Sequence, residues 1–148
     1  MVKIRPARAA DLDSLIALLE VLFTIETDFV FDKARQRRGL RLLLDNPRAC
    51  ILVAEAEGTA IGMATGQLTI STAEGSPALL IEDLVVNGPW RDRGIGRKLL
   101  VELGEWAAAH GARRLQLLAD RNNSAGLGFY RKLGWQTTEL ICLRTYTE

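Results

Sequence analysis

The residues with the clearest chemistry in this 148-residue chain lie in the segment LLIEDLVVNGPWRDRGIGRKLL, Leu79 to Leu100. An apolar run ends at Asn87-Gly88-Pro89, a short turn carries Gly94-Ile95-Gly96, and a helical pattern opens immediately. Glycines there let the backbone approach a ligand closely, and the unpaired N–H groups of a starting helix favour an anion. Arg91, Arg93, Arg97 and Lys98 add positive charge around the same turn. Together these features describe a site for phosphate or pyrophosphate. A plain tight turn with a solvated basic face would use the same residues. Two other phosphate motifs do not fit. The dinucleotide fingerprint needs a third glycine where Leu99 stands, and a P-loop needs Gly-Lys-Ser/Thr where the chain has Gly96-Arg97-Lys98-Leu99.

Just upstream, the adjacent carboxylates Glu82 and Asp83 interrupt an apolar strand. Charges there are costly unless exposed or used. Simple alternation groups Glu82 with Leu80, Leu84 and Val86, and Asp83 with Ile81 and Val85. Whichever face meets a ligand, one carboxylate can point toward it. Partial burial would raise its pKa and suit it to base work near neutral pH. An acid on a solvated sheet edge is the alternative.

The elements that must position these residues can be read from periodicity. Val2 to Arg5 predicts a short strand before Pro6. Leu12, Leu15, Ile16, Leu19 and Leu22 or Phe23 form one helical stripe, with Asp11 as its cap. A second helix spans about Asp32 to Asp45 and stops before Asn46-Pro47. Cys50 to Ala56 and Ala60 to Ser71 read as a hairpin closed at Glu57-Gly58, and Leu79 to Val86 as a third extended run. A helix from about Gly94 to His110 ends at Gly111. Arg114 to Ala119 reads as a buried strand, Ser124 to Leu133 as a short helix, and Thr137 to Tyr146 as a last strand. This order predicts one mixed α/β domain over residues 1–148.

On these residues the chain resembles the GNAT N-acetyltransferase superfamily. Arg91-Asp92-Arg93-Gly94-Ile95-Gly96 matches its R/Q-x-x-G-x-G/A motif, between the right strand and the right helix. Asn123 to Tyr130, followed by Arg131-Lys132-Leu133-Gly134-Trp135, looks like its second signature, N-x-x-A-x-x-F-Y then x-K-x-G-F. Gly126 and Trp135 depart in detail. Gly126 and Gly128 each weaken a helix by about 1 kcal/mol relative to Ala, so packing or ligand must hold it. The resemblance implies a mostly antiparallel sheet, splayed between its fourth and fifth strands and flanked by helices, with acetyl-CoA in the wedge. It implies that Arg91, Asp92, Arg93, Gly94, Ile95, Gly96, Arg97 and Lys98 hold the pyrophosphate. Leu84, Val85 and Val86 would pair with the pantetheine arm, and Asn123 and Tyr130 would lie near that arm and the thioester. Asn123 could equally be a helix cap, and Tyr130 a core aromatic.

The implied reaction moves an acetyl group from acetyl-CoA to a primary amine by direct attack in a ternary complex. An alkylammonium of pKa near 10 must first lose a proton, and the departing thiolate is best protonated. Tyr130 suits the second task. The spermidine/spermine branch of the superfamily carries Glu-Asp at the same distance before its R-x-x-G-x-G, which selects Glu82 as base. Acceptor binding is assigned to Asp83 and, between the first two helices, to Glu26 and Asp28, with Asp32 nearby. A polyamine, diamine or amino acid fits such acids. The rival readings are a protein lysine or N-terminal acetyltransferase and a non-catalytic acyl-CoA-binding subunit.

Composition narrows the field. Nineteen basic and eighteen acidic side chains leave a net charge of +1, without the basic excess of a nucleic-acid binder. No run approaches the ~18 apolar residues of a membrane span, and no signal-peptide pattern opens the chain. A cytoplasmic address is expected, with Cys50 and Cys142 as buried free thiols. One histidine, His110, and two scattered cysteines make no zinc site, so no metal is expected. No G-x-S-x-G elbow of a serine hydrolase occurs. The run Arg35 to Arg38 reads as a solvated helix face, or as a neighbour of the CoA 3′-phosphate or an acidic partner. By resemblance a homodimer is expected, with Ile141, Cys142 and Leu143 contributing to its interface.

Overall fold

The computed structural model describes residues 1–147. It divides into two compact units, the first ending at Leu117 and the second beginning at Leu118. The first unit is built on β1 (Val2–Pro6), α1 (Leu12–Phe23), α2 (Lys33–Leu44), β2 (Ala49–Ala56), β3 (Thr59–Ser71), β4 (Ser76–Val86), α3 (Ile95–Ala109) and β5 (Arg114–Leu117). Its five strands form one sheet in sequential order. The first three pairings are antiparallel and the β4–β5 pairing is parallel.

Local chemistry explains most boundaries. The β2–β3 hairpin closes on Glu57 and Gly58, both at positive φ, the backbone that a two-residue turn matched to strand twist requires. Asp32 caps α2, its side chain accepting the N–H groups of Ala34 and Arg35. Gly111, at φ +82°, ends α3. Asp11 does not cap α1 as expected. Its carboxylate instead accepts the Arg8 N–H at 2.7 Å and hydrogen bonds from the two terminal guanidinium nitrogens of Arg5 at 2.8 and 2.9 Å. A turn of 3₁₀ helix, Ala9–Asp11, leads into α1, and a doubly engaged carboxylate is not available to the helix N–H groups.

The apolar stripe of α1 is buried as its spacing predicted: Leu12, Leu15, Ile16, Leu19 and Leu22, joined by Leu18, pack with Leu40 of α2 and with Ile51, Val53, Met63 and Val85 of the sheet. Each fully buried leucine of this kind contributes about 2 kcal/mol. Helix α3 packs across β1 to β4 and buries Ile95, Leu99, Leu100, Leu103 and Ala107. The sheet therefore separates two helical layers, and β4 lies between β3 and the edge strand β5.

Two expectations about strands fail. β5 is four residues long and only partly buried, because it pairs on one side alone. In the second unit, α4 (Ser124–Lys132) forms as expected, but among the described residues no strand follows. Leu140, Ile141, Leu143 and Tyr146 are the apolar and aromatic types a strand would bury, yet all four are exposed. A strand needs a neighbouring backbone to pair with, and among the described residues this segment has none. Cys142 is accordingly exposed rather than buried, while Cys50 is buried; both are free thiols.

Candidate active site

Strand β4 is paired on both sides only in its first half. On the β5 side it pairs from Ala78 to Ile81, against Arg114 to Leu117, whereas on the β3 side pairing runs on to Val86. From Glu82 onward one edge of β4 is therefore open. That is the predicted splay between strands 4 and 5, and its origin is local. The β3–β4 register pairs Thr65 with Asp83 but Gly66 with Ile81, leaving Glu82 as an extra, unpaired residue. Such a bulge bends a strand and ends regular pairing.

The bulge also corrects the expected side-chain grouping. Asp83 lies opposite Thr65 and Val85 opposite Met63, on the face covered by α1 and α2. Ile81 lies opposite Gly66 and so falls on the other face, with Leu79, whose side chain fills the space beside Gly66. Simple alternation had put Ile81 and Asp83 together. The extra residue shifts the phase by one.

Glu82 is exposed, while Asp83 is partly buried. The Thr65 hydroxyl donates to the Asp83 carboxylate at 2.7 Å and accepts the Asp83 N–H at 3.1 Å. Burial pushes the Asp83 carboxyl up to about 6, against the lowering effect of the Thr65 hydrogen bond and with a further rise from the neighbouring Glu82 charge. Thr65 was not singled out from the sequence. The available signal was a polar residue in the small, apolar run Gly62-Met63-Ala64-Thr65-Gly66.

Beyond Val86 the chain turns through Gly88–Trp90 and reaches α3. Asp92 and Gly94 both have positive φ, +62° and +77°. In that conformation the N–H groups from Asp92 to Arg97 have no acceptor among the described residues. Six consecutive amides at a helix start form a cradle for an anion. A Cβ on Gly94 would meet nothing within 4 Å, so the cradle opens to solvent. Arg91 donates from Nε to the Val86 carbonyl at 3.0 Å, and the Arg93 guanidinium lies 4.8 Å from the Trp90 ring centroid. These contacts brace the loop, while the exposed Arg97 and Lys98 sit on the first turn of α3. Leu84 and Val86 are partly buried along the open edge and Val85 is buried beneath it. A pyrophosphate fits the amide cradle, and the open edge of β4 offers unpaired backbone to an amide-bearing arm.

In the second unit, Asn123 caps α4, accepting the Gly126 N–H at 3.0 Å. That explains the glycine: a Cβ at Gly126 would lie 2.5 Å from the Asn123 amide nitrogen. The helix gives up propensity to keep its cap. Tyr130 is partly buried, with ring centroids 5.2 Å from Phe129 and 5.8 Å from Trp135. Glu26 and Asp28 lie between α1 and α2, ahead of the cap Asp32. Arg37 of the basic run is paired with Asp13, and a shallow cleft of about 490 Å³ is lined by Lys33, Ala34, Arg37, Arg38 and Arg41 of α2 alone. His110 stacks on Trp106 at 4.1 Å between centroids. Among the described residues no group of three His, Cys, Asp or Glu could hold a metal ion, and no helix is long and apolar enough to cross a membrane.

Comparison with known proteins agrees with this geometry. The sequence profile of the acetyltransferase (GNAT) family matches residues 15–135. The uncharacterised N-acetyltransferase YhfO of Bacillus subtilis is 28% identical over 137 residues, covering 90% of this chain and 89% of YhfO. An aminoglycoside N(6′)-acetyltransferase type 1 of Salmonella typhimurium is 25% identical over 92 residues, which span 60% of this chain and 63% of that protein. In fold, the aminoglycoside N-acetyltransferase AAC(6′)-Iy, solved in complex with CoA, superposes with a TM-score of 0.86 over 99% of this chain and 95% of its own, at 19% identity. The chain belongs to the GNAT acetyltransferase family. It is an acetyl-CoA-dependent N-acetyltransferase, with the amide cradle and the open edge of β4 as the features that fit its co-substrate.

Proposed function

We propose that the chain acetylates a primary amine of a small molecule, such as a polyamine, diamine or amino acid, by direct attack within a ternary complex. The observation that carries this reading is the carboxylate pair at the β4 bulge: Glu82 exposed where β4 parts from β5, and Asp83 on the face covered by α1 and α2. A cationic acceptor would find negative charge there and again at Glu26 and Asp28. The Salmonella relative, named for aminoglycosides, supports a small polycationic acceptor, and the Glu-Asp spacing supports a polyamine.

In this mechanism residues Asp92 to Arg97 bind the pyrophosphate through their N–H groups, with Arg97 and Lys98 adding charge. The backbone of Leu84 to Val86 aligns the pantetheine arm, and Asn123 holds the start of α4. Glu82 takes the proton from the acceptor ammonium, directly or through water. The free amine attacks the thioester carbonyl, the C–S bond breaks, Tyr130 gives a proton to the leaving thiolate, and the second proton shed by the new amide nitrogen restores Tyr130 through solvent. Holding both reactants in one site supplies much of the rate. The chain is proposed to act as one domain and as a homodimer in the cytoplasm. The exposed Leu140, Ile141 and Leu143 supply apolar surface for a second copy, and the free thiols suit a reducing compartment.

Thiol release from acetyl-CoA across polyamines, amino acids, aminoglycosides and short lysine peptides tests the reading. Turnover with a small amine is expected. Turnover confined to peptides would replace it with a protein acetyltransferase, and CoA binding without turnover would point to a binding subunit.

A further inference from the structure

Thr65 is fully buried in the middle of β3, among residues chosen for size and apolarity. Valine has the same shape and would fill the space without a polar atom to satisfy. A buried hydroxyl is tolerated only where it is hydrogen-bonded. The partner here is one residue, engaged twice: Thr65 Oγ1 donates to Asp83 Oδ2 and accepts the Asp83 N–H. The two contacts fix both the backbone and the carboxylate of Asp83 at the point where the bulge frees Glu82 from pairing.

We propose that Thr65 is a positioning residue for the acceptor, holding the Asp83 carboxylate as the anchor for the acceptor's ammonium group on the α1–α2 face of the sheet. The proposal deepens the small-amine reading and rests on it. Asp83 and Glu82 then divide the work. Asp83 binds the cationic acceptor, and Glu82, exposed beside it, receives the proton that must leave before attack.

The surroundings of Asp83 make its ionisation sensitive to Thr65. The buried side of α1 is apolar, Leu12, Leu15, Ile16, Leu18, Leu19 and Leu22 with Val21 and Phe23 beside them, and its acids Asp13 and Glu20 are exposed. Helix α2 adds the buried Leu40, while its Lys33, Arg35, Arg38 and Arg41 are exposed and Arg37 is paired with Asp13. On β3 the neighbours Met63 and Ala64 are apolar and buried, and β5 pairs with β4 only as far as Ile81. Among the described residues Glu82 is the one charged group acting on Asp83, and it opposes ionisation. The Thr65 hydroxyl is the contact that favours the carboxylate. Removing it raises the Asp83 pKa, so the anchor stays neutral to higher pH.

The test uses the full chain with Thr65→Val and Thr65→Ser, and spermidine and neamine as probe amines. NMR titration of the Asp83 carboxyl carbon is expected to give a midpoint near 6 in the parent chain, higher in Thr65→Val and restored in Thr65→Ser. Either amine is expected to lower the parent midpoint, since a bound ammonium favours the carboxylate. In steady-state thiol release, Thr65→Val should raise the acceptor KM about tenfold near pH 6, the size of a lost hydrogen bond to a charged group. The deficit should fade above pH 8, with kcat and the acetyl-CoA KM within about twofold of the parent, because chemistry is untouched. An unmoved Asp83 midpoint in Thr65→Val overturns the proposal. So does an equal loss of kcat at every pH with acceptor KM unchanged. Turnover with an Asp83 midpoint that neither amine shifts refutes the anchor alone, whereas absence of turnover with all amines refutes the small-amine reading and the anchor with it.

Discussion

Arg91 reaches back from the phosphate turn and donates its Nε hydrogen to the carbonyl of Val86, the last residue of β4, at 3.0 Å. With Arg93 lying over Trp90, two of the four basic residues around the turn brace the loop that presents the amide cradle. The charge pattern read as ligand binding therefore has two parts, one that shapes the loop and one, Arg97 and Lys98, left on the first turn of α3.

Gly94→Ala separates folding from cofactor binding. At φ +77° an alanine is strained, but a Cβ there meets no atom within 4 Å. The expected loss of stability is about 1 kcal/mol. Relieving the strain would turn the neighbouring N–H groups out of the cradle, so the KM for acetyl-CoA should rise about tenfold, equivalent to about 1.4 kcal/mol. Chemical unfolding and acetyl-CoA kinetics on the same preparation measure both. A variant with full cofactor affinity would mean that the amides from Asp92 to Arg97 do not hold the pyrophosphate.

Asp83 makes stability depend on pH in an uncommon direction. Its carboxyl rises from 3.8 to about 6 on folding. The folded chain thus binds a proton that the unfolded chain releases between those values. Its contribution is fully present below about pH 4 and is lost as pH rises through 6, leaving a deficit of about 3 kcal/mol at neutral pH. Asp83→Asn carries no such charge. Urea unfolding at pH 4, 5.5 and 7 should show Asp83→Asn gaining on the parent chain by about 2–3 kcal/mol across that range. Parallel curves would mean that the carboxyl is solvated in the fold.

The Arg5 cluster works the opposite way. Its guanidinium forks onto Asp11 and its Nε donates to Glu55 at 2.8 Å, tying β1 to β2 and to the entry of α1. The hydrogen bond from Arg5 holds the Asp11 carboxyl below its usual range. That contribution is present above the ordinary carboxylate pKa and is lost as pH falls through the depressed one. Arg5→Ala should cost about 3 kcal/mol near pH 7, where it strands a largely buried carboxylate, and clearly less at pH 3. Arg5→Lys should recover only part of the loss, because an ammonium cannot fork. Equal losses at both pH values would assign the role of Arg5 to packing.

What could be read in advance followed from local rules. The stripe of α1, the Glu57-Gly58 hairpin, the second helix from about Asp32 and the strand-turn-helix around Gly94 depend on neighbours a few residues away, so spacing revealed them. The failures depend on distant partners. Asp11 was drawn from its helix by Arg5 and Arg8. Residues 137–146 have strand-like residues but, among the described residues, no backbone to pair with. The phase error at Asp83 came from a bulge created by the match of β3 to β4, which no property of β4 alone displays. Thr65 was missed for the same reason: its importance lies in facing a carboxylate eighteen residues on.

Glu82→Gln and Tyr130→Phe probe the two proton transfers separately. Both changes preserve shape, Glu82 is exposed, and Tyr130 keeps its ring beside Phe129 and Trp135, so each variant should fold with acetyl-CoA affinity near that of the parent. A positioned general acid or base contributes roughly 10²–10⁴-fold. Glu82→Gln should lower kcat by about a hundredfold near pH 7 and regain rate as pH approaches the amine's own pKa, where solvent has already removed the proton. Tyr130→Phe should lower kcat at every pH, because a thiolate leaving group needs its proton whatever the state of the amine. Acceptors of lower pKa should lessen the Glu82→Gln defect and leave the Tyr130→Phe defect unchanged. If both variants instead lost the same factor with all acceptors and at all pH values, neither residue would be moving a proton, and the carboxylates of β4 would act on the acceptor through binding alone.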